Sequence, residues 1–188
     1  MDPRSGTTAA ELVNELPMNE LARLFVANGE GRFAVRIARA LVAARPLTTT
    51  TELAEAVASA LPAAVRRRPG HPARRVFQAL RIAVNDELGM LARALPVAVE
   101  SLAPGGRCVA ISYHSGEDRL VKAAFAEAAR GGCACPQGLP CVCGAVSMGQ
   151  LVFRGARRPS PSEVERNRRA ESARLRAFQR TLEEDRPE

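Results

Sequence analysis

Residues 102–119 read LAPGGRCVAISYHSGEDR. Pro104-Gly105-Gly106 signals a turn. Arg107 to Ser112 is then a short, mostly apolar run carrying Val109 and Ile111, long enough for a buried strand and too short for a helix. The run breaks into a polar loop, Tyr113 to Arg119, and a helical pattern follows through Leu120, Val121, Ala124 and Phe125. Helix, turn, strand, polar loop and helix describe part of an α/β layer. Ligands of open α/β sheets sit at the carboxyl ends of strands, so the loop is where chemistry is expected.

Upstream of this stretch the chain reads as helical throughout. Thr8-x-x-Glu11 is a capping-box pattern opening a helix that stops at Pro17. A second helix runs from about Asn19 with Leu21, Leu24 and Phe25 on one face. A third covers Arg32 to Ala44, with Phe33, Ile37 and Leu41 facing inward and Arg32, Arg36 and Arg39 forming a basic ridge. Thr48 to Thr51 cap a fourth, carrying Leu53, Val57 and Leu61. Residues 1–65 thus form an all-helical domain, and 66–188 the second domain. The run from Arg66 to Pro72 is a basic linker.

A long helix is expected from Ala73 to Leu95, its seam made by Phe77, Leu80, Val84, Leu88, Leu91 and Leu95. Arg74, Gln78, Arg81 and Asn85 step alongside that seam. At ~100° per residue they lie a quarter-turn from it, which fits a cleft wall or a snorkelling core margin.

Downstream, Cys133, Cys135, Cys141 and Cys143 form C-x-C-x5-C-x-C within a loop over 131–145. A plain loop, a zinc knuckle and a disulfide all remain open, and C-x-C is short for two sulfurs of one zinc tetrahedron. Gln150 to Arg154 reads as a second strand. Ser162-x-x-Glu165 opens a basic terminal helix over 162–184. Gly29 to Ala34 matches G-x-G-x-x-A but has no strand before it, so a dinucleotide site fails its context. A Ser-His triad fails too, because neighbouring His114 and Ser115 point to opposite sides of the chain.

Composition bounds the partners. The 188 residues carry a net charge of +7, and all but one of the 27 basic residues are Arg. Arginine's planar fork suits phosphate, and the charge points to RNA or DNA ahead of a membrane. No apolar run approaches the ~20 residues of a membrane span, and the expected location is the cytoplasm.

LAPGGR-CVAIS resembles a late strand of S-adenosylmethionine-dependent methyltransferases. HPARRVFQALRIAVNDEL at 71–88, ISYHSGEDRLVK at 111–122, TTTTELAEAV at 48–57 and NRRAESARLR at 167–176 narrow this to a resemblance to the RsmH/MraW family. Gly116, Asn28 and Glu171 depart from the family's usual residues.

The resemblance implies an incomplete Rossmann-like class I methyltransferase fold preceded by a helical insertion. The central strand would lie beside the strand after the Cys loop. The implied activity is methyl transfer to N4 of a cytosine in the decoding region of small-subunit ribosomal RNA. The implied cofactor is S-adenosylmethionine, whose Gly-rich loop does not occur here, so no cofactor-binding residue is expected in this chain and isolated binding should be poor. The resemblance places Asn85 and the 114–118 loop near the reacting cleft. Asn85 and Ser115 would act as positioners and His114 as positioner or proton acceptor. Asp118 would be a scaffold pairing with Arg119 or Arg81. Arg74, Arg75, Arg81, Arg119 and Lys122, with Arg32, Arg36 and Arg39, would meet phosphates. No metal ligand is assigned. The rival reading is a catalytically silent RNA-binding or interaction fragment.

Overall fold

The computed structural model describes residues 6–67, 69–136 and 142–181. Cys141, Arg68 in the basic linker and the end of the expected terminal helix lie outside them. The chain divides into two compact units, Met1–Glu87 and Leu88–Glu188.

The first unit is helical: α1 (Ala9–Glu15), α2 (Met18–Ala27), α3 (Ala34–Ala43), α4 (Thr50–Ala60), the single turn α5 (Ala63–Arg66) and α6 (Arg74–Asn85). The capping box read at Thr8 forms, and Thr49 makes another. Thr8 accepts from the Glu11 amide and Thr49 from the Glu52 amide, and each glutamate reaches back to the cap. Those contacts satisfy amides that a helix start leaves without partners. Leu21, Phe25, Ile37, Leu41 and Val57 are buried in one core with the N-cap Ala73 and with Val76, Ala79 and Leu80 of α6. Asn14 exchanges two hydrogen bonds with the backbone of Leu47, at 2.8 and 2.9 Å, fixing α1 against the α3–α4 connection.

The stretch 66–87 packs within the compact helical unit, and two expectations for its helix change. The core face of α6 is Val76, Ala79, Leu80 and Ile82, while Phe77 and Val84 are only half-buried. The long helix is also not continuous. Asp86 takes a left-handed conformation (φ 47°) that caps α6, and α7 (Glu87–Glu100) starts beyond it. An aspartate tolerates that conformation better than most side chains, a property the apolar periodicity does not reveal. α7 then runs through Pro96.

In the second unit, β1 (Arg107–Ser112) leads into α8 (Ser115–Arg130), followed by β2 (Gly149–Leu151), α9 (Pro161–Arg166), a 3-10 turn (Arg168–Ser172) and β3 (Arg174–Arg180). The sheet order is β1-β3-β2, antiparallel at both pairings, with Cys108 opposite Phe178 and Leu151 opposite the same residue. Phe125 of α8 meets Phe178 at 5.9 Å between ring centroids, and Leu95 and Val99 of α7 complete that core. The observed class is α/β with a small antiparallel sheet.

The basic terminal helix expected over 162–184 is therefore corrected to a short helix, a 3-10 turn and a strand. Ser160, not Ser162, caps α9, because Pro161 takes its first position, where no amide is needed. β3 separates β1 from the strand after the Cys loop, which the resemblance had placed side by side. Leu175, Ala177 and Gln179 alternate with Arg176, Phe178 and Arg180, the period of a strand. The abundance of arginine, a good helix former, hides it. β1 turns Cys108 and Ala110 towards α8, whereas Val109 and Ile111 are more than half exposed.

Candidate functional site

In the first unit, the stepping residues of α6 border a hollow of about 280 Å³. Val13, Leu47, Leu53, Phe77, Leu80 and Val84 make it apolar, and Arg81, Asn85 and Thr48 to Thr50 give it a polar rim. Of the stepping residues, Arg81 and Asn85 border this hollow. Arg74 instead borders a shallower depression with His71, Thr50 and Phe77. Arg81 is held by Glu87 through two parallel hydrogen bonds of 2.9 and 3.0 Å. Asn85 donates to the Arg81 carbonyl at 2.7 Å, and its amide lies 3.4 Å from Glu87. Glu87 orders both side chains; nothing in the apolar periodicity singles it out.

In the second unit, the loop after β1 is the start of α8. His114 is its N-cap: Nδ1 accepts from the amides of Gly116 and Glu117, at 3.2 and 3.4 Å. Glu117 answers by accepting from the amides of Tyr113 and His114. This is a capping box with an imidazole in the place usually taken by a hydroxyl or short amide. An Nδ1 that accepts carries no proton, so the neutral ring holds its proton on Nε2.

Nε2 lies 3.0 Å from a Glu117 oxygen, yet it is buried without a hydrogen-bond partner. The two atoms are close, but the ring N–H does not point along the contact. Gly116 permits the arrangement, since a Cβ there would lie 3.1 Å from the imidazole. Ser115 is exposed on the first turn.

Asp118 pairs with neither residue that sequence nominates. Its two oxygens accept from Arg176 of β3, at 2.8 and 2.9 Å. That hydrogen bonding, reinforced by the charges of Arg176, Arg174 and Lys122, holds its carboxyl below the usual range against the opposing effect of burial. Arg176 was missed because its stretch reads as a helix; strand alternation across 174–180 was the available signal. The basic residues proposed for phosphate contact, Arg32, Arg36, Arg39, Arg74, Arg75, Arg81, Arg119 and Lys122, are all exposed.

The sequence pattern of the MraW methylase family matches residues 1–181. The chain belongs to this family. Among curated members, it is 50% identical to the ribosomal RNA small subunit methyltransferase H of Heliobacterium modesticaldum over 184 residues, covering 96% of this chain and 58% of that protein. The protein of the same name from Acidothermus cellulolyticus is 55% identical, with 96% and 55% covered. That of Kocuria rhizophila is 48% identical over 196 residues, with 100% and 58% covered. The chain therefore spans somewhat more than half the length of the family members it matches. Among the described residues, no helix is long and apolar enough to cross a membrane.

S-adenosylmethionine, the donor that methyltransferase membership implies, finds no fitting residues at the carboxyl end of β1. A ribose diol needs a carboxylate free to accept. The two carboxylates there are committed, Glu117 to the cap and Asp118 to Arg176.

Proposed function

We propose that this chain is the substrate-facing portion of a small-subunit ribosomal RNA methyltransferase that acts on N4 of a cytosine in the decoding region. The family match over residues 1–181, with relatives about half identical that carry that enzyme's name, supports the reading. In this proposal residues 1–65 correspond to a helical insertion and the remainder to the closing part of a Rossmann-like domain, working on assembling small subunits in the cytoplasm. The methyl donor is held by residues other than those of the β1–α8 turn.

The lone pair of a cytosine N4 is delocalised into the ring. Methylation therefore needs accurate orientation of the amine and removal of its proton. A base buried in an RNA stack must first be extruded or presented single-stranded. Asn85 and Ser115 are assigned as hydrogen-bonding positioners. His114 is assigned as a positioner through its cap of α8, because its Nδ1 is spent on that cap and its Nε2 is buried. Asp118 is assigned as scaffold. The exposed arginines and Lys122 take phosphates, which fix register without reading sequence.

Two measurements test the reading. Isothermal titration of the chain with S-adenosylmethionine should give no heat of binding, and micromolar binding would overturn the assignment of the donor site. Filter binding should show preference for a decoding-region RNA over an unrelated RNA of equal length. Equal affinity for both would remove the substrate-facing role.

A further inference from the structure

The loop between α8 and β2 is closed at its base before its cysteines are considered. Gly131 caps α8 in a left-handed conformation, and the Val146 carbonyl lies only 2.0 Å from where its Cβ would be. Two residues further, the Met148 amide donates to the Ala128 carbonyl at 3.0 Å. These contacts press the outgoing and returning arms together, so residues ten apart in sequence meet without further loop-closure cost. Cys133 and Cys135 ride on the first arm and Cys143 on the second.

Their three sulfurs lie within 4.8 Å of one another, and those of Cys133 and Cys143 are 3.5 Å apart. A disulfide requires ~2.05 Å, and the cysteines are thiols. Tetrahedral zinc with Zn–S bonds of ~2.3 Å sets sulfurs ~3.8 Å apart, close to the 3.5 Å between Cys133 and Cys143 and inside the 4.8 Å that bounds the set. The short C-x-C interval does not prevent convergence, because the second arm comes to meet the first. The Val142 amide also donates to the Cys135 sulfur. For Cys108, burial pushes the thiol up, and it stands in β1.

We propose that Cys133, Cys135 and Cys143 form a zinc(II) site that fastens the α8–β2 loop. Each thiol gives up its proton on binding, so three protons are released for one zinc taken up, and the metal remains divalent. Three thiolates fill three corners of the tetrahedron, and soft sulfur donors select zinc over magnesium or calcium. The site follows the C-terminal end of α8, whereas His114, Ser115 and Asp118 stand at its start, so its success or failure does not bear on the proposed activity.

The test is metal analysis of the whole chain purified anaerobically from zinc-supplemented cells. About one zinc per chain is expected for the unaltered protein and for Cys108→Ser. Cys133→Ser and Cys143→Ser should each lose most of it while keeping their far-ultraviolet circular dichroism. Cobalt(II) substitution should produce the intense sulfur-to-metal charge-transfer absorption of a thiolate site, again abolished in Cys135→Ser. Metal-free unaltered protein without that cobalt band would overturn the proposal. So would full zinc retention in the Cys133→Ser/Cys143→Ser double variant, an oxygen-sensitive iron–sulfur chromophore, or a Cys133–Cys143 disulfide in protein alkylated at lysis.

Discussion

Breaking the Asp118–Arg176 pair isolates the contact that fastens the first turn of α8 to β3. The side chains of Arg176 and Asp118 are 14% and 24% exposed and are joined by two hydrogen bonds. Exposed pairs contribute ~0.2–1 kcal/mol, and losing one member of a fully buried pair costs ~3–5 kcal/mol. This pair lies between the two regimes, and removing either member leaves the other largely desolvated. Asp118→Asn and Arg176→Met should therefore each cost about 2 kcal/mol, with a coupling of about 1–2 kcal/mol in the double-mutant cycle.

The pH dependence has a definite sign. Asp118 has a lowered pKa in the folded state, so the unfolded chain binds its proton more readily. The contribution is present above the unfolded value and lost as pH falls through the folded one. Urea unfolding followed by circular dichroism, near neutrality and at about pH 3, should show the penalty of Asp118→Asn shrinking in acid. An undiminished penalty in acid, or zero coupling between the two sites, would refute the assignment of Arg176 as the partner.

His114→Ala should cost about 1 kcal/mol through loss of the cap, and His114→Asn should recover most of it. If the ring also serves turnover, His114→Asn introduced at the matching position of a full-length relative will restore stability but not methyl transfer, as read by melting and by tritium incorporation. Gly131→Ala should destabilise by roughly 3 kcal/mol, combining a left-handed backbone with a collision at Val146. Gly132→Ala is its control: φ is also positive, but the nearest neighbour of a Cβ there, the Glu127 carboxylate, is 3.9 Å away, so only about 1–2 kcal/mol is expected. Replacing Arg32, Arg36 and Arg39 together with alanine should weaken RNA binding and reduce the slope of log affinity against log salt by about 2 units. An unchanged slope would show that the ridge does not meet phosphates.

The residues alone determined what is local. The capping box at Thr8, the cap within Thr48 to Thr51, the turn at Gly105-Gly106 and the strand from Arg107 to Ser112 depend on contacts within a few positions, so their residue types suffice to announce them. The family was legible for a similar reason, since its motifs are contiguous. Tertiary structure decided what depends on a distant partner. Residues 174–180 became a strand because β1 and β2 offer it two ladders, and the alternation of an arginine-rich stretch does not by itself outweigh its helical propensity. Asp118 chose Arg176 for the same reason. The short interval between Cys133 and Cys135 argued against convergence, and only the closed base at Gly131 and Val146 brings Cys143 to them. Where one segment's environment is supplied by another far along the chain, pairing geometry overrides local preference.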